Sequence, residues 1–227
     1  MDILRIVNVL EPTAKRRWSR AETLIVDLTL DEEALLAQMS KRVRYEIRRA
    51  MSKDGLVAET FDRPEPEVLE GFARYYDEFA RSKGLSPIAR PRLDAMAEQG
   101  MLLLTHVSGE DGSPLAWHAY AGSARRAMLL YSASLFREEA DSEARNRMGR
   151  ANRYLHWSDM LAFKAAGYTD YDLGGIDVAG RDPATTRIGA FKRGFGGDLR
   201  PTHTASAGVS VKGRLVLALL RLRKIDF

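Results

Sequence analysis

The apolar positions near the start of the chain predict a strand followed by a helix. Residues 22–28, ETLIVDL, combine aliphatic and β-branched side chains as strands do. In the segment that follows, apolar residues recur at spacings of four, four, four and three, which places them on one buried helix face: Leu35, Met39, Val43, Ile47 and Ala50. We expect Thr29 or Asp31 to cap the start of this helix and Gly55 to end it.

The rest of the chain alternates strands and helices in an order typical of an α+β protein. A strand at LVAETF precedes helical patterns at Pro66–Arg81 and Pro91–Glu98. Apolar strands are then expected at 101–107, 114–122 and 126–134, followed by a long helix from about Arg150 to Ala166. A last strand at TDYDL and a short helix at ATTRIGAFKRGF complete an α+β (mixed α/β) single domain over residues 1–227.

The composition indicates a globular protein without cysteine chemistry. The 227 residues are 45% hydrophobic and 29% charged, enough for one sizeable core. The absence of cysteine excludes disulfides and thiolate nucleophiles, and the four histidines lack paired ligand spacing, so we expect no metal. The N-terminus has no signal-peptide core, and no apolar run approaches the roughly 20 residues that cross a bilayer. We expect a cytoplasmic protein.

The C-terminal segment, residues 209–227, joins the apolar run LVLALL to the basic RLRK. One interpretation is an amphipathic segment that touches an anionic membrane, which would place the protein at the inner face of that membrane. The other is a final strand or helix packed on the domain. The sequence leaves both interpretations open.

Basic residues are clustered and suit a phosphate-bearing partner. The net charge is +4, and arginines concentrate in KRVRYEIRR, EARNRMGRANR and LRLRK. In the first cluster, Lys41, Arg44 and Arg48 share one helix face, so Arg44 and Arg48 are candidates for an acceptor-phosphate site. The alternative is a set of solvated helix faces.

A second candidate phosphate site is NRMGRA, which spans Asn146–Ala151 and precedes the long helix. Backbone N–H groups at a helix start suit a pyrophosphate, and Gly149 lets a ligand approach the backbone. Arg147 and Arg150 add positive charge, and Met148 completes the stretch. The alternative is an arginine-rich surface loop with an ordinary helix start.

These stretches resemble the FemAB-like branch of the GNAT acyl-CoA N-acyltransferase superfamily. Asn146-x-x-Gly149-x-Ala151 is similar to the [QR]-x-x-G-x-[GA] pyrophosphate loop of that superfamily, with Asn at the first position. RVRYEIRRA and YDLGGID…RIGAFKRGFGGDLRP resemble two further motifs of the FemAB-like branch. Together these motifs span roughly residues 22–201. The glycines of GFGG fit neither a P-loop nor GxGxxG.

The resemblance implies a GNAT fold, in which two central strands splay around the acyl group. It implies an N-acyltransferase that uses an acyl-CoA, acetyl-CoA first among them, and acylates an amine, here an amino sugar in surface-polysaccharide assembly. FemAB members proper use aminoacyl-tRNA in cell-wall peptide synthesis and carry two such domains, so a tRNA donor is the alternative. A non-catalytic module that binds a phosphorylated glycan or RNA is a third interpretation.

Direct acyl transfer needs an acid and a base but no protein nucleophile. The candidates for the base are His118, flanked by apolar residues on a strand, and Asp172, just before a glycine turn. Tyr131 is the candidate acid for the leaving thiolate. Each of the three has a structural alternative, as a core histidine, a turn-stabilising aspartate and a core tyrosine. The remaining candidates contact the substrate: Asp177, Lys192 and Arg193.

Overall fold

The computed structural model describes residues 2–12, 18–135, 141–177 and 183–222. The chain divides into two compact units, each of which is treated by itself. The larger unit holds Ile25–Gly174 and Ala190–Gly197. The smaller unit holds Met1–Leu24, Gly175–Gly189 and Asp198–Phe227. The single domain expected over residues 1–227 stays a prediction.

This part of the chain forms eight strands and seven helices. The strands are β1 (Ile3–Val9), β2 (Ser19–Asp27), β3 (Val57–Phe61), β4 (Leu102–Ser108), β5 (Pro114–Gly122), β6 (Arg126–Ala133), β7 (Asp170–Ile176) and β8 (Asp198–Gly208). The helices are α1 (Glu32–Gln38), α2 (Lys41–Lys53), α3 (Pro66–Lys83), α4 (Arg90–Glu98), α5 (Ser142–Ala165), α6 (Pro183–Arg193) and α7 (Val211–Leu222).

The larger unit is built on a mixed sheet in the order β3–β4–β5–β6–β7. The first three pairings are antiparallel, and β6 runs parallel to β7. Nearly every residue of β4 and β5 is buried, which explains why these strands are continuous apolar runs without alternation. The predicted α+β class is confirmed.

Helices cover both faces of this sheet. Trp117 and Ala119 of β5 pack in one buried cluster with residues of α3 and α4, such as Phe72 and Leu93. Ala116, one position away along the strand, packs in a second cluster with residues of α5. Because successive strand residues point to opposite faces, β5 contributes to both cores.

β6 and β7 pair only at their starts. The register joins Arg126–Met128 to Asp170–Asp172 and records no further pair between the two strands in the described chain. β6 also carries a bulge against β5, because that register skips Leu130. We call the place where the β6–β7 pairing ends, just beyond Met128 and Asp172, the β6–β7 fork. Its presence agrees with the splayed strands that the resemblance implied.

The apolar stripe near the start of the chain belongs to two helices and not to one. All five stripe residues are buried, as predicted. However, the chain is extended at Met39 and Ser40, and the Ser40 hydroxyl caps α2 by accepting a hydrogen bond from the Val43 N–H. A serine side chain that competes for backbone N–H groups favours such a restart.

The long helix also starts earlier than predicted. α5 begins at Ser142, capped by the Asp141 carboxylate, which accepts from the Ala144 N–H at 2.7 Å. The predicted start near Arg150 is therefore wrong by about two helical turns. The residue that misled the prediction is Gly149. A glycine lowers helix propensity by only about 1 kcal/mol, so it does not end a helix by itself.

In the smaller unit, β1 pairs antiparallel with β8, and α7 packs on β8. Within the C-terminal segment, Val211–Leu222 thus forms a helix, one of the elements that the sequence left open. Among the described residues, no helix has both the length and the apolar character to cross a membrane.

Gly197 offers a test of the GFGG stretch. Its φ is +86°, and a Cβ there would lie 2.5 Å from the Ile25 carbonyl oxygen, so Gly197→Ala should lower the free energy of unfolding by about 2 kcal/mol or more. Gly71→Ala is the matched control, because a Cβ at Gly71 in α3 meets no atom within 4 Å. That variant should gain stability by about 0.5 kcal/mol in urea denaturation. Equal stabilities of Gly197→Ala and Gly71→Ala would contradict the requirement for a glycine at position 197.

Candidate active site

The β6–β7 fork is organised by one buried carboxylate. Asp172 is fully buried, and its Oδ1 accepts a hydrogen bond from the Gly174 N–H at 2.7 Å. Its Oδ2 accepts from the Arg126 guanidinium, with the Nε at 2.7 Å and the Nη2 also in contact. Gly174 has a φ of +79°, which a residue with a side chain rarely adopts. The carboxylate thus directs this N–H away from the strand ladder at the point where pairing ends.

A lysine lies beside that turn. A Cβ on Gly174 would be 3.6 Å from the Lys192 Nζ and 3.4 Å from the Leu129 carbonyl oxygen. The Lys192 ammonium and the main chain of β6 at Leu129 therefore both lie beside Gly174. Burial lowers the pKa of Lys192, and the charge of Asp172 counteracts part of that change.

The fork therefore brings main-chain groups and a cation together. Beyond Met128 the main chain of β6 is no longer engaged with β7 in the described register, and a bulge at Leu130 alters its direction. Backbone N–H groups in such a segment can donate to a carbonyl oxygen, and the Lys192 ammonium can stabilise negative charge on it.

A second polar cluster lies inside the core between β5, β7 and α5. The His118 Nδ1 is 2.7 Å from the Asp159 Oδ2, and the His118 Nε2 is 2.9 Å from the Asn152 Oδ1. The Tyr120 hydroxyl donates to the same Asp159 oxygen at 2.5 Å and lies 2.7 Å from the Tyr171 hydroxyl. We call this cluster, together with His156, the core polar network.

His156 completes the network from the side of α5. Its Nδ1 is 2.6 Å from the Tyr171 hydroxyl, and its ring packs against Phe191 and Phe195 at 5.7 and 4.8 Å. Burial lowers the pKa of His156 well below its usual value, with the charges of His118, Lys192 and Arg153 adding to this effect. Burial likewise raises the pKa of both network tyrosines well above their usual values. The two tyrosines of the network and His156 are therefore held in their uncharged forms.

Three network residues form a group that a metal ion could bind. The ligand atoms of His118, His156 and Asp159 lie within 4.8 Å of one another, and all three residues are buried. Both ring nitrogens of His118 already take part in hydrogen bonds within the network. The geometry is thus that of a hydrogen-bond network, and the expectation of a metal-free site stays a prediction.

The predicted acid and base residues are not all at the fork. His118 is fully buried in the core polar network, with both ring nitrogens in hydrogen bonds, and its role as a base stays a prediction. Asp172 lies at the fork, but its oxygens bind Arg126 and Gly174. Tyr131 packs edge-on against Tyr76 at 4.8 Å, beside the α3 core. All three positions match the structural alternatives given above.

The predicted pyrophosphate stretch, Asn146–Ala151, lies inside α5 and does not form a loop. Its N–H groups fall beyond the first turn of the helix, where they bond to carbonyls of the preceding turn. Arg150 is buried and donates to both oxygens of Asp54, at 2.6 and 3.0 Å. The Arg147 Nη2 donates to the Asp54 carbonyl oxygen at 2.8 Å. This stretch therefore anchors α5. Its predicted position at the helix start is wrong, and its phosphate-binding role stays a prediction.

Other residues of the stretch agree with that role. Ala151 is part of a buried cluster with Val107 and Leu115, and Met148 packs against the same cluster. Gly149 lies in the helix, where a Cβ would be 3.6 Å from the Arg153 Nη1, and Asn146 is exposed. None of these contacts resembles a pyrophosphate cradle.

The two predicted acceptor-site residues of α2, Arg44 and Arg48, lie in different environments. The Arg44 Nη1 donates to the carbonyl oxygens at the end of α1, at 3.4, 3.0 and 2.5 Å for Leu36, Ala37 and Met39. It thereby caps that helix. Arg48 is exposed and lines two surface clefts, of about 520 and 280 Å³.

The three remaining candidates are Asp177, Lys192 and Arg193, all within the described part of the chain. Of these three, Lys192 lies at the fork. Asp177, in the smaller unit, has its Oδ2 3.3 Å from the Thr185 hydroxyl. Arg193 follows Lys192 and is exposed. Arg126 and, apart from His118, the residues of the core polar network were not singled out from the sequence. A signal existed, since Asn152, His156 and Asp159 recur on one face of a helix that is otherwise apolar there.

Known proteins resemble this chain in structure but not detectably in sequence. No family model matches it, and no curated protein matches it. FemX has the same fold, with a TM-score of 0.64 at 18% identity over 80% of this chain and 61% of FemX. L-PGS from Bacillus licheniformis gives a TM-score of 0.55 at 18% identity, over 92% of this chain and 67% of that one.

A third structure of known coordinates also resembles the fold of this chain. It is the C-terminal domain (DUF2156) of an Agrobacterium fabrum protein named as a lysylphosphatidylglycerol synthetase, with a TM-score of 0.60 at 18% identity. The match covers 91% of this chain and 66% of that one. The chain thus spans about two thirds of these structures or less. The comparison supports the predicted GNAT-like fold, whereas no family match supports the FemAB-like branch.

The ion pair of Arg150 with Asp54 can be tested as a structural contact. Arg150→Met leaves a buried, unpaired carboxylate, so the free energy of unfolding should fall by about 3 kcal/mol or more in urea denaturation. Adding Asp54→Asn should restore part of the loss, because the unpaired charge is then removed. Arg48→Met, at an exposed arginine, is the control and should change stability by less than about 0.5 kcal/mol. An Arg150 variant as stable as this control would refute the anchoring role.

His156 predicts a loss of stability in acid. The unfolded chain takes up a proton on this histidine below a pH of about 6.5, whereas the folded chain, with its lowered pKa, does not. The free energy of unfolding should therefore fall by about 1.4 kcal/mol per pH unit below that point from this group alone. His156→Gln keeps a polar group but does not titrate, so its slope should be shallower by that amount. The free energy of unfolding of the wild type and of His156→Gln is measured by urea denaturation between pH 5 and about 8. Parallel pH profiles of the two proteins would contradict the lowered pKa of His156.

Proposed function

We propose that this protein is an acyltransferase whose reaction takes place at the β6–β7 fork. The observation that carries the proposal is the position of Lys192 beside Gly174, where the parallel pairing of β6 and β7 ends. Strands that part in this way leave main-chain groups for an acyl carbonyl, and the lysine adds a positive charge. FemX, L-PGS and the DUF2156 domain share the fold, which supports the proposal without identifying a substrate.

In the proposed reaction, an unprotonated amine attacks the carbonyl carbon of a bound acyl ester or thioester. Negative charge then develops on the carbonyl oxygen, which accepts hydrogen bonds from N–H groups of β6 beyond Met128. The Lys192 ammonium stabilises that charge, and the carbon–carrier bond breaks as the amide forms. The carrier leaves as a thiol or alcohol, because its sulfur or oxygen takes up the proton that the amine nitrogen loses. Asp172 and Arg126 position the turn at Gly174 and do not contact the reacting atoms.

The first candidate donor is an acyl-CoA such as acetyl-CoA, with an amino sugar as the acceptor. This pairing rests on the resemblance of the YDLGGID and FKRGFGG motifs, and direct transfer from a thioester needs no cysteine. The stretch Asn146–Ala151 no longer supports it, because its N–H groups lie within α5. The pyrophosphate of CoA must therefore be held elsewhere.

The second candidate donor is aminoacyl-tRNA, which the exposed face of α2 favours. Tyr45, Arg48, Arg49 and Lys53 line the cleft of about 280 Å³ on this helix. A basic groove with an aromatic side chain suits a nucleic-acid backbone. Binding of this kind should weaken steeply as salt is added.

Lys192→Met tests the reaction site. It should lower the rate of acyl transfer by about 100-fold or more, because one positive charge at the developing oxyanion is lost. The assay follows CoA release from a panel of acyl-CoAs with glucosamine-type amines, and, separately, deacylation of aminoacyl-tRNA by the same amines. The arm that gives turnover identifies the donor.

The matched control is Lys83→Met, at a partly buried lysine in α3 that lies over the Phe79 ring. It should keep full activity. Wild-type turnover that Lys192→Met leaves unchanged would remove the reaction from the fork. Binding of a carrier without turnover in either arm would favour the non-catalytic module instead.

A further inference from the structure

Helix α7 has two apolar faces, and one of them is exposed. Leu217 is buried, and Gly213 lies so close to the Asp2 backbone that a Cβ there would overlap it. On the other side, Val211, Leu215 and Leu219 are 73, 61 and 59% exposed. A helix that packs on one side only normally carries polar residues on its outer face. The outer face of α7 therefore has the character of a contact surface.

The exposed residues form one continuous stripe. Residues four apart stay on the same side of a helix, so Val211, Leu215 and Leu219 follow one another along it. We call these three residues the outer stripe. At about 100° per residue, Lys212 lies about 100° to one side of Val211 and Arg214 about 60° to the other. Both cations are exposed, so the stripe is bordered by positive charge on each side.

We propose that the outer stripe docks on an anionic lipid surface. Apolar side chains of an amphipathic helix enter the boundary between headgroups and acyl chains, and bordering lysines and arginines meet the headgroup phosphates. The local charge fits this occupant, because residues 209–227 contain five basic residues and one acidic residue.

Charge also distinguishes this surface from a dimer interface. Two copies that met through the outer stripe would bring Lys212 and Arg214 of each copy toward the same interface. The stripe itself offers no acidic group to neutralise them, since the exposed residues of α7 are apolar or basic. A lipid headgroup layer supplies the missing negative charge. The contact is peripheral, with α7 lying along the surface.

Vesicle co-sedimentation tests the proposal with the full chain. The protein should bind vesicles that contain phosphatidylglycerol at least tenfold more tightly than vesicles of phosphatidylcholine alone. The double variant Leu215→Glu/Leu219→Glu should lose about tenfold or more of that binding. Lys212→Gln/Arg214→Gln should lower binding to the anionic vesicles and weaken its dependence on salt.

Leu85→Glu is the matched control, because Leu85 is another exposed leucine, 51% exposed, outside α7. It should bind vesicles as the wild type does. Circular dichroism melting curves of each variant show that the fold is kept. Equal binding of the wild type and the α7 leucine variant would overturn the proposal. So would a wild-type dimer in light scattering that the leucine variant converts to monomers without any vesicle binding.

Discussion

The buried carboxylate of Asp172 is the constraint on which the centre of the larger unit depends. Its charge is neutralised inside the protein by Arg126, which fixes the start of β6 against the start of β7. Its other oxygen accepts the Gly174 N–H, which removes that group from the ladder. One side chain therefore holds the two strands together at one end and ends their pairing at the other. Lys192 lies beside this turn, with its Nζ 3.6 Å from the place where a Cβ on Gly174 would stand.

The core polar network shows a different use of polar residues. Its histidines, tyrosines and Asp159 are buried between α5 and the sheet, and short hydrogen bonds link them to one another. The Asp159 Oδ1 is the exception, because it has no hydrogen-bond partner in the described chain. Such a network is stable only when its partners are in register, so it specifies how α5 lies on β5 and β7. A histidine within an apolar strand thus has a structural explanation here.

The sequence predicted local structure better than it predicted roles. The stripe of Leu35, Met39, Val43, Ile47 and Ala50 is buried as expected, because helical spacing alone decides which side faces a core. The role of Arg150 could not be found in this way. Its partner Asp54 lies 96 positions earlier in the chain, so NRMGRA has the local appearance of a phosphate loop and the tertiary role of an anchor. The role of Arg44 could not be found from local sequence either, because the carbonyl groups that it caps come within its reach only where α1 ends.

By itself, the amino-acid sequence determined the element types, the buried faces and the glycines that turn the chain, since these depend on residues a few positions apart. The tertiary structure decided which charges are satisfied inside the protein and which stay available. Arg150 and Arg126 are bound to carboxylates, whereas the cations of α7 border an exposed apolar stripe. The physical reason is that the free energy of a charge depends on its partners and its burial, and both are fixed by residues distant in the chain.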